Sequence, residues 1–162
     1  MSMTGRFQRV TDTEIDALLA APEGIVDFLL GDDVLPDLDI EKSWHAIHFF
    51  LNGDAWEGHP PLDFLIRGGT DIGTEEVVYG PARAFRRDEV RAIWRALEPI
   101  EVSQVRGAYD AARMRELEIY PDGWGSAEVD HLDDYFMAYF VALRTFLAET
   151  TARGQGMIVY IA

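Results

Sequence analysis

The side chains with the most chemical reach gather in two short stretches. The first is KSWHAIH, which places Lys42, Trp44, His45 and His48 within seven positions. At helical spacing Trp44 and His48 lie four apart and His45 and His48 three apart, so both pairs share a face. Two imidazoles so placed are able to share a divalent metal, but zinc needs a third and a fourth ligand. His59 and His131 are the remaining histidines, and nothing in the spacing recruits either, so the sequence assigns no metal and no cofactor. The second stretch is EIYPDGW, which supplies Tyr120 and Trp124 around a proline and a glycine. Aromatic walls with a few polar groups are what small-molecule sites use. Lys42, Trp44, His45, His48, Tyr120 and Trp124 are therefore the candidate ligand-binding residues. The competing reading makes them structural: Trp44 and His48 fill an apolar stripe, and Tyr120-Pro121 shapes a turn.

Other chemistries find little support. The chain has no cysteine, which excludes disulfides, thiolate metal sites and cysteine nucleophiles. There is no G-x-S-x-G turn, and Ser2, Ser43, Ser103 and Ser126 sit in no nucleophile-type context. Asp133 and Asp134 are sequence neighbours, so on a helix they diverge by about 100°. Asp32, Asp33, Asp37 and Asp39 lack the calcium-loop pattern, and no G-K-[ST] follows Gly68-Gly69. The balance leans away from catalysis, with no catalytic residue to name.

The elements that must position these side chains follow from periodicity. Residues 126–153 carry the stripe Leu132, Phe136, Tyr139, Phe140, Leu143, Phe146, Leu147, with Met137, Ala138, Val141 and Ala142 between. This predicts a long helix, apolar nearly all round in its middle and buried on more than one side. Thr11 and Glu14 form a capping box, with Val10 placed to pack on Ile15. Asp39 is placed to cap a helix over 40–51, which Asn52-Gly53 ends. Further helices are expected near 25–30, 88–97 and 110–117, with a short one over 62–66. Strands are expected over 3–10, 76–79, 82–85 and 157–161. The last, MIVYI, is apolar throughout, as for a central strand buried on both faces. The fold class is α+β: one compact domain over 1–162, a small mixed sheet of short strands, and several helices around the long C-terminal one.

Charge narrows the partners. Fourteen Lys and Arg stand against 29 Asp and Glu, a net charge of −15. Nucleic acid and anionic membrane are disfavoured, because each calls for a basic face. A basic protein partner fits, as a regulator or a toxin-neutralising protein would bind. No apolar leader opens the chain and no apolar run nears the ~20 residues of a membrane span, so a soluble cytoplasmic protein is expected. Monomer and homodimer both stay open, since Met137 or Val141 offers apolar surface to a second copy.

The opening MSMTGRF, the segment LDIEKSWHAIHFFLNG, the turn EIYPDGW and the closing GQGMIVYIA together resemble the YfbM-like family of small bacterial proteins, a family of unknown function. The resemblance covers essentially the whole chain. Lys42-x-Trp44-x-x-x-His48 and Ile119-Tyr120-Pro121 are its most specific pieces. It implies a compact α+β domain and carries over no catalytic residue. A non-catalytic binding domain is thus the leading expectation, with a small-molecule binder or enzyme using the Lys/His/aromatic set as the alternative.

Overall fold

A computed structural model describes residues 2–127 and 132–162. The first strand, β1 (Gly5–Val10), leads into α1 (Asp12–Ala20), whose start is set by the Thr11/Glu14 capping box. A single 3₁₀ turn at Pro22–Gly24 joins α1 to α2 (Ile25–Leu30). Then come β2 (Leu38–Asp39), a 3₁₀ turn at Glu41–Ser43 and α3 (Trp44–Asn52). The helix expected over 40–51 with Asp39 as its cap begins at Trp44 instead and has no side-chain cap; the Asp39 carboxylate accepts from the Glu41 N–H at 2.8 Å, ahead of the 3₁₀ turn. After β3 (Thr70–Asp71) and β4 (Arg83–Phe85), the helices α4 (Arg87–Leu97), α5 (Val102–Gly107) and α6 (Ala111–Glu116) follow. The chain closes with α7 (Met137–Ala152) and β5 (Gly156–Ile161). Asp110 caps α6 through the Arg113 N–H, as its position implied.

The sheet order is β2-β1-β5-β4-β3. Every pairing is antiparallel, so the sheet expected to be mixed is not. The all-apolar run of β5 arises because helices cover both faces, not because its neighbours are parallel. Met157 and Val159 point into the larger core, with Phe7, Phe85 and residues of α3, α4 and α7. Ile158 and Tyr160 point the other way, into a smaller core with Val10, Ile15, Ile25 and Leu29. Val10 and Ile15 thus share the smaller core.

The C-terminal helix is the centre of the larger core. Phe136, Phe140 and Leu143 are at most 2 % exposed, and α7 packs on α4 and on β5. Burial is not all round, however: Val141 is 47 % exposed and Ala138 faces solvent, while Met137 is buried in the chain's own core. A π-helical turn at Leu132–Phe136 leads into α7. The part of the expected helix over 128–131, with His131, lies outside the described residues.

Two other expectations are corrected between α3 and α4. Residues 76–79 form no strand, because the Val77 N–H turns back to the Gly80 carbonyl at 3.0 Å. The strand beside β4 is instead Thr70–Asp71. Residues 62–66 make consecutive turns rather than a helix: the Ile66 and Arg67 N–H groups both converge on the Asp63 carbonyl. This segment is clamped from the sheet by Arg83. Its guanidinium donates to the carbonyls of Phe64, Leu65, Arg67 and Gly68, and burial lowers its pKa to about 10.

Candidate functional site

The two histidines of α3 reach outward over the loop that follows it. His45 Nε2 lies 2.9 Å from the Ala55 carbonyl, and its Nδ1 accepts from the Tyr120 N–H at 3.0 Å. The ring is therefore neutral, with its proton on Nε2. Burial lowers its pKa, against the opposing effect of the Ala55 carbonyl. His48 repeats the arrangement: Nε2 meets the Glu57 carbonyl at 3.0 Å and Nδ1 faces the Asn52 amide at 3.3 Å. Burial lowers its pKa too. Helical spacing put both rings on one side, as expected, but each ring is occupied at both nitrogens by the chain itself. Among the described residues, no group of three His, Asp or Glu side chains is placed to hold a metal ion.

What the histidines do is pin residues 54–67. Asn52 adds to this, donating to the Leu62 carbonyl and accepting from the His59 N–H. The Asp54 carboxylate accepts from the N–H groups of Trp56 and Glu57, which holds its pKa low. Arg67 ties to the Trp56 carbonyl and to Glu57. So fixed, Trp56 lays its ring on His45, with centroids 4.6 Å apart, yet stays 54 % exposed.

A ladder of rings results. Trp56 meets His45, His45 stacks on Trp44 at 4.9 Å and 9°, and Trp44 faces Tyr120 at 5.9 Å. Trp44 is buried and anchored by its indole N–H to the Met3 carbonyl. The Met3 N–H donates to the Tyr120 hydroxyl. Gly5 permits this approach, since a Cβ there would stand 2.8 Å from Trp44 Cβ. On the opposite wall, beyond the end of α6, stands Glu118, a non-glycine residue in the left-handed region at φ 54°. That turn sends Ile119 to Trp124 beneath Trp44. Trp124 is 2 % exposed, with its indole N–H on the Ile119 carbonyl and its ring 5.0 Å from Phe136.

These residues line an open cleft of about 650 Å³, with Met3, Trp44, His45, Trp56, Tyr120 and Trp124 as its rings and floor, and Arg115, Glu118 and Asp122 on its polar side. A second hollow of about 390 Å³ adjoins it, sharing Met3, Trp44 and Trp56. Of the six residues singled out by sequence, Trp44, His45, Tyr120 and Trp124 meet here. Lys42 and His48 line neither hollow. Lys42 is tied through its N–H to the Tyr135 hydroxyl at 3.1 Å, on the side of α7, and His48 is committed to the loop. Trp56 was missed. Its signal was present, a tryptophan in a loop between Asp54 and Gly58, where no helical or strand period demanded an aromatic.

The described residues thus form an α+β fold with a ring-lined cleft. A model of the family described as a domain of unknown function, DUF1877, matches residues 1–160, and the chain belongs to that family. Protein YfbM of Escherichia coli (strain K12) is 30 % identical over 138 residues, spanning 80 % of each chain. The crystal structure of YfbM from Escherichia coli, titled a protein of unknown function, matches with a TM-score of 0.74 at 23 % identity. It covers 98 % of this chain and 99 % of that one. The family membership expected from the sequence is thereby shown, and the structural match extends to the fold. Among the described residues no helix is long and apolar enough to cross a membrane.

Proposed function

We propose that the protein is a non-catalytic binding domain that holds a basic segment of a protein partner across the aromatic cleft, as a regulator or a toxin-neutralising protein does. The observation that carries this reading is Trp56, more than half exposed while its ring rests on a histidine locked at both nitrogens. A large, rigid aromatic held in place before binding loses little entropy on contact and is the usual anchor of an interface. Carboxylates surround it: Asp54 and Glu57 beside it in the chain, Glu118 and Asp122 across the cleft. Lysine or arginine side chains suit such a setting, through ring faces and through charge. Because His45 has no free nitrogen, it is a poor general base. The cytoplasmic setting expected from the sequence goes with this reading.

Titration with arginine- and lysine-rich peptides, followed by tryptophan fluorescence, tests it. Binding should weaken steeply as salt rises and fall at least about ten-fold in Trp56→Ala. Equal binding by Trp56→Ala removes the cleft from the reading. The alternative, a small-molecule binder in the same cleft, is favoured by the cleft's size, which falls within the about 300–1,000 Å³ common for ligand pockets. Saturable quenching by a small aromatic or amine ligand, without peptide binding, selects it.

A further inference from the structure

We infer that a second, separate site lies between residues 60–69 and α4, and that it takes a small organic cation, an ammonium or guanidinium head on a short apolar chain. The observation is Asp63. It is only 6 % exposed, yet its carboxylate has no hydrogen-bond or ion-pair partner among the described residues, all of its bonds being made by its backbone carbonyl. The Arg83 charge acts on it from nearby but forms no hydrogen bond or ion pair with it, so a carboxylate in a largely buried wall is left without a donor of its own. The sealed, unpartnered side-chain oxygens among the described residues belong to Gln8, Thr151, Gln155 and Tyr160, not to Asp63. The small exposed area of Asp63 therefore includes its oxygens, and the space this residue lines is a cavity of about 420 Å³.

The rest of the wall suits the same class of ligand. Phe64, Phe85 and Ile93 supply apolar surface, and Glu89 adds a second carboxylate. The cation of the wall, Arg67, is engaged with Glu57 at 2.5 Å and with the Trp56 carbonyl at 2.7 Å, and Arg83, whose charge also acts on Asp63, spends its donors on the carbonyls of Phe64, Leu65, Arg67 and Gly68, so neither bonds the Asp63 carboxylate. The ring of Phe85 already takes one cation, the Arg83 guanidinium 5.4 Å from its centroid. The site depends on Gly58, whose Cβ would stand 2.5 Å from Asp63 Cβ. A neutral or anionic ligand leaves the carboxylate without a directly bonded cation; a monocation with a short chain supplies one and matches the apolar wall.

The experiment uses the full chain and two-dimensional amide NMR, with butylammonium and butylguanidinium as probes and butanol as the uncharged control. Saturable shifts confined to residues 58–69 and 85–93 are expected for the cations. Asp63→Asn should weaken them at least about ten-fold, whereas Trp56→Ala should leave them unchanged. That last result separates this site from the aromatic cleft, so either can fail alone. Butanol binding as tightly as the cations, or no saturable shift in the parent protein, overturns the inference without requiring any variant to fold. Undiminished binding by a folded Asp63→Asn overturns it as well.

Discussion

In the aromatic cleft the carboxylates of Glu118 and Asp122 stand exposed along one side while buried rings make the floor. In the cavity beside α4 the order is reversed: Asp63 is buried, and phenylalanine rings share its wall. Charge on an exposed lip acts at a distance and is screened by salt; charge inside a wall acts only on contact and is screened much less. On the readings proposed above, the first arrangement would gather a large flexible partner and the second would select a small one. The difference comes from which part of residues 54–67 is braced. α3 holds the first half through its two histidines, and Arg83 holds the second half from the sheet.

That contrast breaks most sharply at Trp44, which is 4 % exposed and touches the cleft but not the Asp63 cavity. Trp44→Ala should cost about 3–5 kcal/mol in denaturant unfolding; a loss under about 1 kcal/mol would show that the ring ladder is not core. Trp56→Ala should do the opposite. Peptide affinity should fall by about 2 kcal/mol, with stability changed by less than about 1 kcal/mol, as read by fluorescence titration and thermal melts.

A third test uses pH. His45 and His48 both have pKa values below the ordinary 6.5, so the unfolded chain takes up protons first as pH falls. Their contribution to stability should be complete above about pH 6.5 and lost progressively below it. Urea midpoints measured from pH 7.5 down to 5 should decline, and His45→Gln with His48→Gln should flatten that part of the decline. An unchanged slope in the double variant would mean that the rings are not held neutral. The smallest effect is expected at Glu118, whose φ of 54° strains a non-glycine residue. Glu118→Gly should raise stability by about 0.5–1 kcal/mol while weakening binding of basic peptides at low salt.

Much of the frame could be read from local pattern. The Thr11 capping box, the Gly53 exit from α3 and the two-faced burial of β5 each depend on neighbours in sequence or on strand alternation. What failed depends on how the loops close. The Val77 N–H turns back on Gly80 only three residues on, which ends any strand there, and nothing near Thr70 announces that it pairs with β4. The candidate site divides the same way. Spacing put His45 and His48 on one side of α3, but their carbonyl partners at residues 55 and 57 come from how the loop folds back. Asp63 looked like one acid among 29, because burial of a single carboxylate leaves no trace in periodicity.

Arg83 has a consequence for both hollows. The segment it grips, residues 64–68, presents Leu65 and Ile66 to the hollow that continues the cleft, and Phe64, Arg67 and Gly68 to the Asp63 cavity. One guanidinium thus rivets a partition with a different compartment on each side. Any occupant that shifts this partition alters the room next door, and thermodynamic linkage makes the influence mutual: whatever the small cation does to the grip on a peptide, the peptide must do to the grip on the small cation.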